Sequence, residues 1–100
     1  MVWIADHAEN RILFFDTRFL SLIEVIASRV QMVKAFVAMT DRAHMPASST
    51  ISKLPCFEAL VAGASPEIEW PSSDENSASS LCYTAGTTGN PKGARYGHRQ

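Results

Sequence analysis

The first forty residues alternate between short apolar runs and one amphipathic stretch. Residues 11–16 form an apolar run with charged ends, a pattern typical of a strand buried on both faces. Residues 33–39 form a second continuous apolar run. Between the two runs, apolar side chains recur at helical spacing at Phe19, Leu22 or Ile23, Ile26 and Val30. Thr17 stands where a helix N-cap is expected. This order predicts a βαβ unit with parallel strands over residues 1–40.

The aromatic residues of this region fall at positions expected to face a core. They are Phe14, Phe15, Phe19 and Phe36. We therefore predict that they pack together rather than line a ligand site. Residues 3–10, before the first strand, resemble the last turns of a helix, so we expect the chain to be a slice of a larger domain.

Beyond residue 40 the pattern becomes polar and irregular. Residues 41–80 are predicted to form a connector that holds one short helix at 56–62, ended by Gly63. An apolar run resumes at Leu81, and we expect strands at 81–84 and 94–97 to pair around a loop. The fold class is therefore predicted as α/β: a partial Rossmann-like βαβ unit, then a strand–phosphate-loop–strand hairpin over residues 81–100.

Composition excludes several classes of protein. The 100 residues are 46% hydrophobic and 19% charged with a formal charge of −1, so binding to nucleic acid through bulk charge is not expected. No apolar run approaches the roughly 20 residues that a membrane helix needs. The cysteines Cys56 and Cys82 lack the spacing of a disulfide framework or a zinc site, which favours a reducing compartment. No metal site is predicted among these cysteines and the three histidines.

One segment has the composition of a phosphate-binding turn. Residues 84–93 contain three glycines, three threonines and one lysine directly after a predicted strand. Glycines let backbone N–H groups turn toward an anion, threonine hydroxyls add donors, and Lys92 supplies a positive charge. A routine hairpin turn is an equally good interpretation of this composition. A Walker A loop is excluded, because Lys92 is followed by Gly93 rather than Ser or Thr.

The segment from Tyr83 to Gly93, continuing through Tyr96 to His98 and Arg99, resembles the phosphate-binding motif of the adenylate-forming (AMP-binding) enzymes, in particular the acyl-CoA synthetases. Residues 7–16 and 19–20 are similar to the fatty-acyl branch. Residues 43–46 are similar to its short- and medium-chain members, including the methylmercaptopropionate-type ligases. The resemblance implies that residues 1–100 are part of the large N-terminal AMP-binding domain of such an enzyme.

This resemblance implies a cytoplasmic, ATP-dependent acid–thiol ligase of fatty-acid metabolism. Such an enzyme activates a carboxylic acid as an acyl-adenylate and transfers the acyl group to coenzyme A, with Mg²⁺ accompanying the nucleotide. The residues expected to hold the ATP phosphates are Thr84, Gly86, Thr87, Thr88, Gly89 and Lys92. No catalytic residue, metal ligand or transmembrane segment is expected within these 100 residues, and the acyl chain length is not specified.

The sequence departs from the family motif at Ala85, where the family usually has a hydroxyl residue. Losing one donor to a buried phosphate weakens binding by about 1–3 kcal/mol. The family's catalytic lysine and acyl-binding elements have no counterpart in this chain. An alternative interpretation is therefore a non-catalytic remnant, or a weak anion-binding module without enzyme activity.

Overall fold

The computed structural model describes residues 1–84 and 89–100. Its contacts divide the chain into two compact units, Met1–Pro66 and Glu67–Gln100. Each unit is described by itself. Among the described residues, no helix has both the length and the apolar character needed to cross a membrane.

The first unit contains a parallel pair of strands joined through a helix. Its helices and strands, in order, are α1 (Val2–His7), β1 (Ile12–Phe15), α2 (Leu20–Ala27), β2 (Ala35–Ala38) and α3 (Phe57–Ala62). The parallel register runs from Ile12 opposite Ala35 to Phe15 opposite Ala38. The predicted strand, helix and parallel strand are therefore present, and a helix precedes them at α1. The mixed α/β class is confirmed.

The main cluster of buried side chains lies on one face of the two strands, while Val37 of β2 is buried on the other face. Phe15, Phe36 and Ala38 are buried together with side chains of the helices and the segment before β2, namely Ala5, Ile23, Ile26 and Val33. Successive strand residues point to opposite faces, so Ile12 and Phe14 face the other way.

Two of the predicted core aromatics are not in the core. Phe14 is 52% exposed and Phe19 is 54% exposed, so their predicted burial is wrong, as is the prediction of a first strand buried on both faces. Phe14 does meet one aromatic neighbour, because its ring lies edge-on to Phe57 with centroids 6.2 Å apart. On α2 the buried positions are Ile23 and Ile26 rather than Leu22.

The start of α2 is not capped by the predicted residue, because its N-cap is Phe19, which makes no side-chain capping hydrogen bond. A single 3-10 turn, Thr17–Phe19, precedes the helix, and the Asp16 side chain accepts a hydrogen bond from the Arg18 backbone N–H at 2.9 Å. The prediction of Thr17 as N-cap is therefore wrong. Asp16 instead caps the 3-10 turn that leads into α2.

Carboxylates tie the irregular segments of the first unit to its helices. Asp6 of α1 accepts from the backbone N–H groups of Gln31 and Met32 at 2.9 and 3.1 Å. Glu24 of α2 accepts from the Ser49 hydroxyl at 2.9 Å and from the Thr50 N–H at 3.2 Å. The predicted short helix is confirmed as α3, and Gly63 follows it as the C-cap residue.

The second unit is built on one antiparallel pair of strands, β3 (Ala78–Thr84) and β4 (Lys92–Gly97). The predicted pairing is present, but the ladder is longer than expected. It starts three residues earlier, at Ala78, and it includes Lys92 itself, which the sequence had placed in the loop. Both strands are largely exposed, so the charged Arg95 stands on a solvent-facing strand.

Candidate functional site

The end of the hairpin brings two of the predicted phosphate-binding residues together. Thr84 and Lys92 are direct cross-strand partners and form the last ladder pair before the connection between the strands. The Thr84 hydroxyl lies 3.4 Å from the Lys92 carbonyl oxygen, to which it donates. Antiparallel partners project from the same face, so a threonine side chain and a lysine side chain stand side by side there.

The Lys92 side chain has the exposure that an anion-binding cation needs. It is exposed to solvent, and no described carboxylate forms an ion pair with it. An incoming anion would therefore not have to displace an acidic neighbour within the described part of the hairpin. A lysine ammonium on a flexible stem can follow such an anion as a mobile point charge.

Gly89 has a backbone conformation that favours glycine. Its φ is +79°, in the left-handed region, and among the described residues no atom beyond its chain neighbours lies within 4 Å of the position that a Cβ would occupy. Glycine is thus needed at residue 89 for its backbone geometry, while the surrounding space is open. This combination suits a turn in which backbone N–H groups face outward.

Three of the predicted site residues lie outside the described residues. These are Gly86, Thr87 and Thr88, together with the departing position Ala85. The structure therefore describes Thr84, Gly89 and Lys92 of the predicted set, and it places Thr84 and Lys92 next to each other.

A close contact beside this pair was not anticipated from the sequence. Tyr83 and Gly93 are cross-strand partners, and a Cβ on Gly93 would lie 3.3 Å from Tyr83 Cε1 and 3.0 Å from Leu81 Cδ1. The sequence does contain a signal for this contact. Tyr83 directly precedes Thr84, and Gly93 directly follows Lys92. Finding it required the register of the ladder.

The described side chains with clearly shifted pKa values lie in the first unit. The Arg18 guanidinium donates to Asp16 at 3.1 Å and lowers the pKa of that carboxyl. The His44 ring, with Nδ1 2.6 Å from Asp41 Oδ1, lowers the pKa of Asp41. Both carboxylates also accept backbone N–H groups of 3-10 turns. These pairs therefore have local structural roles.

Potential metal ligands do not gather within the described ranges. No group of three or more His, Cys, Asp or Glu side chains in residues 1–84 and 89–100 is placed to hold a metal ion. His44 pairs with Asp41, and the ring of His7 stacks on Trp3 at 4.5 Å. These two histidines therefore have structural neighbours.

The known proteins that resemble this chain are named as CoA ligases. The chain is 46% identical over 99 residues to the 3-methylmercaptopropionyl-CoA ligase of Ruegeria lacuscaerulensis and 48% identical over 99 residues to that of Ruegeria pomeroyi. It is 42% identical over 99 residues to the medium-chain-fatty-acid–CoA ligase of Ectopseudomonas oleovorans. Each match covers 99% of this chain and 18% of the relative. No family model matches the chain.

A solved structure agrees with these relatives. The crystal structure of an anthranilate CoA ligase in complex with anthranoyl-AMP matches 98% of this chain and 18% of that chain, with a TM-score of 0.83 and 26% identity. Almost the whole chain is thus homologous to one segment of the CoA ligases, which confirms the resemblance seen in the sequence. The chain spans about a fifth of the length of these relatives.

Proposed function

From its homology to one segment of the CoA ligases, we propose that the chain is the phosphate-binding part of an ATP-dependent acyl-CoA ligase. The whole enzyme would join a carboxylic acid such as a fatty acid to AMP and then pass the acyl group to coenzyme A. The observation that carries the proposal is the match over 99% of the chain to ligases of this type. The hairpin geometry agrees with it, because Thr84 and Lys92 are paired on one face.

The residues proposed to hold the ATP phosphates are Thr84, Gly86, Thr87, Thr88, Gly89 and Lys92. The three residues that the structure describes are compatible with a bound phosphate. Lys92 is exposed, and the space where a Gly89 side chain would stand is open. The Thr84 hydroxyl lies beside Lys92, 3.4 Å from its carbonyl oxygen. Lys92 would neutralise the phosphates as negative charge moves onto departing pyrophosphate. Mg²⁺ would accompany the nucleotide, and we assign it no ligand in this chain.

Pyrophosphate binding to the 100-residue chain tests the phosphate site directly. Isothermal titration calorimetry would compare the wild type with Lys92→Ala and with Lys53→Ala, a matched removal of an exposed lysine in the first unit. A hydrogen bond to a charged group contributes about 1.5–3 kcal/mol, so Lys92→Ala should weaken binding roughly tenfold or more. Lys53→Ala should leave the affinity unchanged. Equal affinities of all three proteins would contradict the assignment of Lys92.

A segment exchange tests the ligase activity. The 99 residues that match the Ruegeria pomeroyi ligase would replace the corresponding segment of that enzyme, and acyl-CoA formation would be followed with and without Lys92→Ala. An active hybrid that loses turnover with Lys92→Ala supports the synthetase. A folded but inactive hybrid, combined with pyrophosphate binding by the chain itself, favours the alternative of a weak anion-binding module without enzyme activity.

A further inference from the structure

The register of the hairpin decides whether Thr84 and Lys92 share a face. Side chains alternate along a strand, so a slip of one residue would move Lys92 to the opposite face from Thr84. A sheet with one buried face resists such a slip, because the slip would expose its apolar side chains. β3 and β4 have no buried residue on either face, so burial does not hold their register.

The ladder already contains one irregularity. The register shifts between Ala78 and Ser80, at the end of the hairpin farthest from Thr84 and Lys92. Regular pairing resumes at Ser80 opposite Tyr96 and continues to Thr84 opposite Lys92. A contact close to the loop end can therefore hold the register there, independently of the irregularity at the far end.

Tyr83 and Gly93 form the ladder pair immediately next to Thr84 and Lys92. A Cβ at Gly93 would lie 3.3 Å from Tyr83 Cε1, 3.4 Å from Tyr83 Cζ and 3.0 Å from Leu81 Cδ1, so the edge of the aromatic ring and the leucine methyl together occupy the space that the glycine leaves. An aromatic side chain packed on a cross-strand glycine is a known device for pinning register. Tyr83 has this relation to Gly93 only when Thr84 stands opposite Lys92.

We propose that Tyr83, packed against Gly93, is a positioning residue that keeps Thr84 and Lys92 side by side for phosphate binding. This inference rests on the proposed function and adds to it a residue outside the predicted phosphate-binding set. Tyr83 acts through the placement of Lys92, and Gly93 is the partner because any larger residue would displace the ring. The ligand concerned is the polyphosphate of a nucleotide or free pyrophosphate.

Pyrophosphate affinity of the full chain tests the proposal with three variants. Tyr83→Ser removes the ring, Tyr83→Phe keeps it, and Tyr96→Ser removes the aromatic ring of β4 that faces Ser80 instead of a glycine. Cross-strand pairs contribute about 0.2–1 kcal/mol, so Tyr83→Ser should weaken binding up to about fivefold. Tyr83→Phe and Tyr96→Ser should bind as the wild type does.

Two further measurements separate positioning from loss of fold. In the Lys92→Ala background, Tyr83→Ser should have a smaller effect than in the wild type, because only Thr84 is then left to be positioned. Cross-strand NOEs between Thr84 and Lys92 should weaken in Tyr83→Ser, while those between Ser80 and Tyr96 persist.

The outcomes distinguish the two proposals. If Lys92→Ala loses affinity but Tyr83→Ser keeps both the affinity and the Thr84–Lys92 NOEs, the positioning role is wrong and the phosphate site stands. An undiminished effect of Tyr83→Ser in the Lys92→Ala background also overturns the positioning role. If Lys92→Ala has no effect, the phosphate site itself falls, and positioning for phosphate falls with it.

Discussion

At the scale of single residues, Gly89 shows a requirement of the backbone rather than of packing. Its φ of +79° is unfavourable for any residue with a Cβ, although no described atom beyond its chain neighbours lies within 4 Å of the Cβ position. We expect Gly89→Ala to cost about 1 kcal/mol through backbone strain alone. Hydrogen exchange of the β3 and β4 amides should then become roughly fivefold faster.

Gly63→Ala provides the matched control for this substitution. Gly63 ends α3 with φ −83°, and an added Cβ would meet its nearest atom, the Ala59 carbonyl oxygen, at an ordinary 3.5 Å. Exchange of the α3 amides should be unchanged or slower in this variant. Equal behaviour of the two alanine variants would argue against a special conformation at Gly89.

The Asp41 and His44 pair gives a pH-dependent contact at the same scale. The Asp41 carboxylate accepts from the His44 ring and from the His44 backbone N–H, and the pKa of Asp41 is lowered chiefly by the ring contact. A lowered pKa means that the carboxylate contact stabilises the turn above the ordinary aspartate pKa and that this is lost as pH falls through the lowered value.

NMR titration of the Asp41 carboxyl carbon would measure this shift. In His44→Ala the Asp41 pKa should move up toward the ordinary value, because the largest cause of its depression is gone. His98→Ala, an exposed histidine of the second unit, should leave it in place. A pKa of Asp41 that is the same in all three proteins would show that the ring contact is absent in solution.

At the scale of elements, the 3-10 turn that leads into α2 offers a direct comparison between two candidate caps. Asp16 accepts from the Arg18 N–H, whereas the predicted cap Thr17 is the first residue of the 3-10 turn. We expect Asp16→Ala to lower the free energy of unfolding of the first unit, because the capping hydrogen bond is lost. Thr17→Ala should change it much less. Urea denaturation followed by circular dichroism would measure both, and the reverse ranking would restore Thr17 as the cap.

The elements that the sequence predicted well are those with a strong apolar period. The β1–α2–β2 order, α3 with its following Gly63, and the pairing of the last two strands all follow from runs of apolar residues or from glycine. The exposure of Phe14 and Phe19 was not predictable in this way. Periodicity identifies which residues share a face, but not which face the rest of the chain covers.

The candidate site was likewise predicted only in part from the sequence. The glycine and threonine content of residues 84–93, together with the family resemblance, indicated a phosphate loop and named Thr84 and Lys92. That these two are cross-strand partners depends on ladder register, which a largely exposed strand does not encode as an alternating pattern. The contact between Tyr83 and Gly93 was missed for the same reason.

At the scale of the whole molecule, burial is distributed very unevenly. All buried side chains among the described residues lie between Ala5 and Cys56, and none lies in the described part of the second unit. The first unit therefore has its own apolar core. The second is held by backbone pairing and by surface contacts such as Arg99 with Glu75 at 3.3 Å.

The two cysteines differ in exposure, and each unit contains one of them. Their reactivity can therefore measure how well each unit shields its thiol from solvent. Cys56 is a free thiol with 4% of its surface exposed, and its backbone bridges to Ala38 at the end of β2. Cys82 is a free, exposed thiol on β3. Since reaction with a thiol reagent requires access, we expect one thiol to react rapidly in the native chain and both in denaturant.

Ellman's reagent would count these thiols, with Cys82→Ser as the control that leaves only Cys56. In that variant the native chain should react slowly, and the rate should rise through the urea transition of the first unit as its core opens. Rapid reaction of Cys56 without denaturant would mean that the core around β2 and α3 is not closed in solution. Because Cys56 adjoins β2 and lies outside the hairpin, this readout follows the first unit without relying on any phosphate ligand.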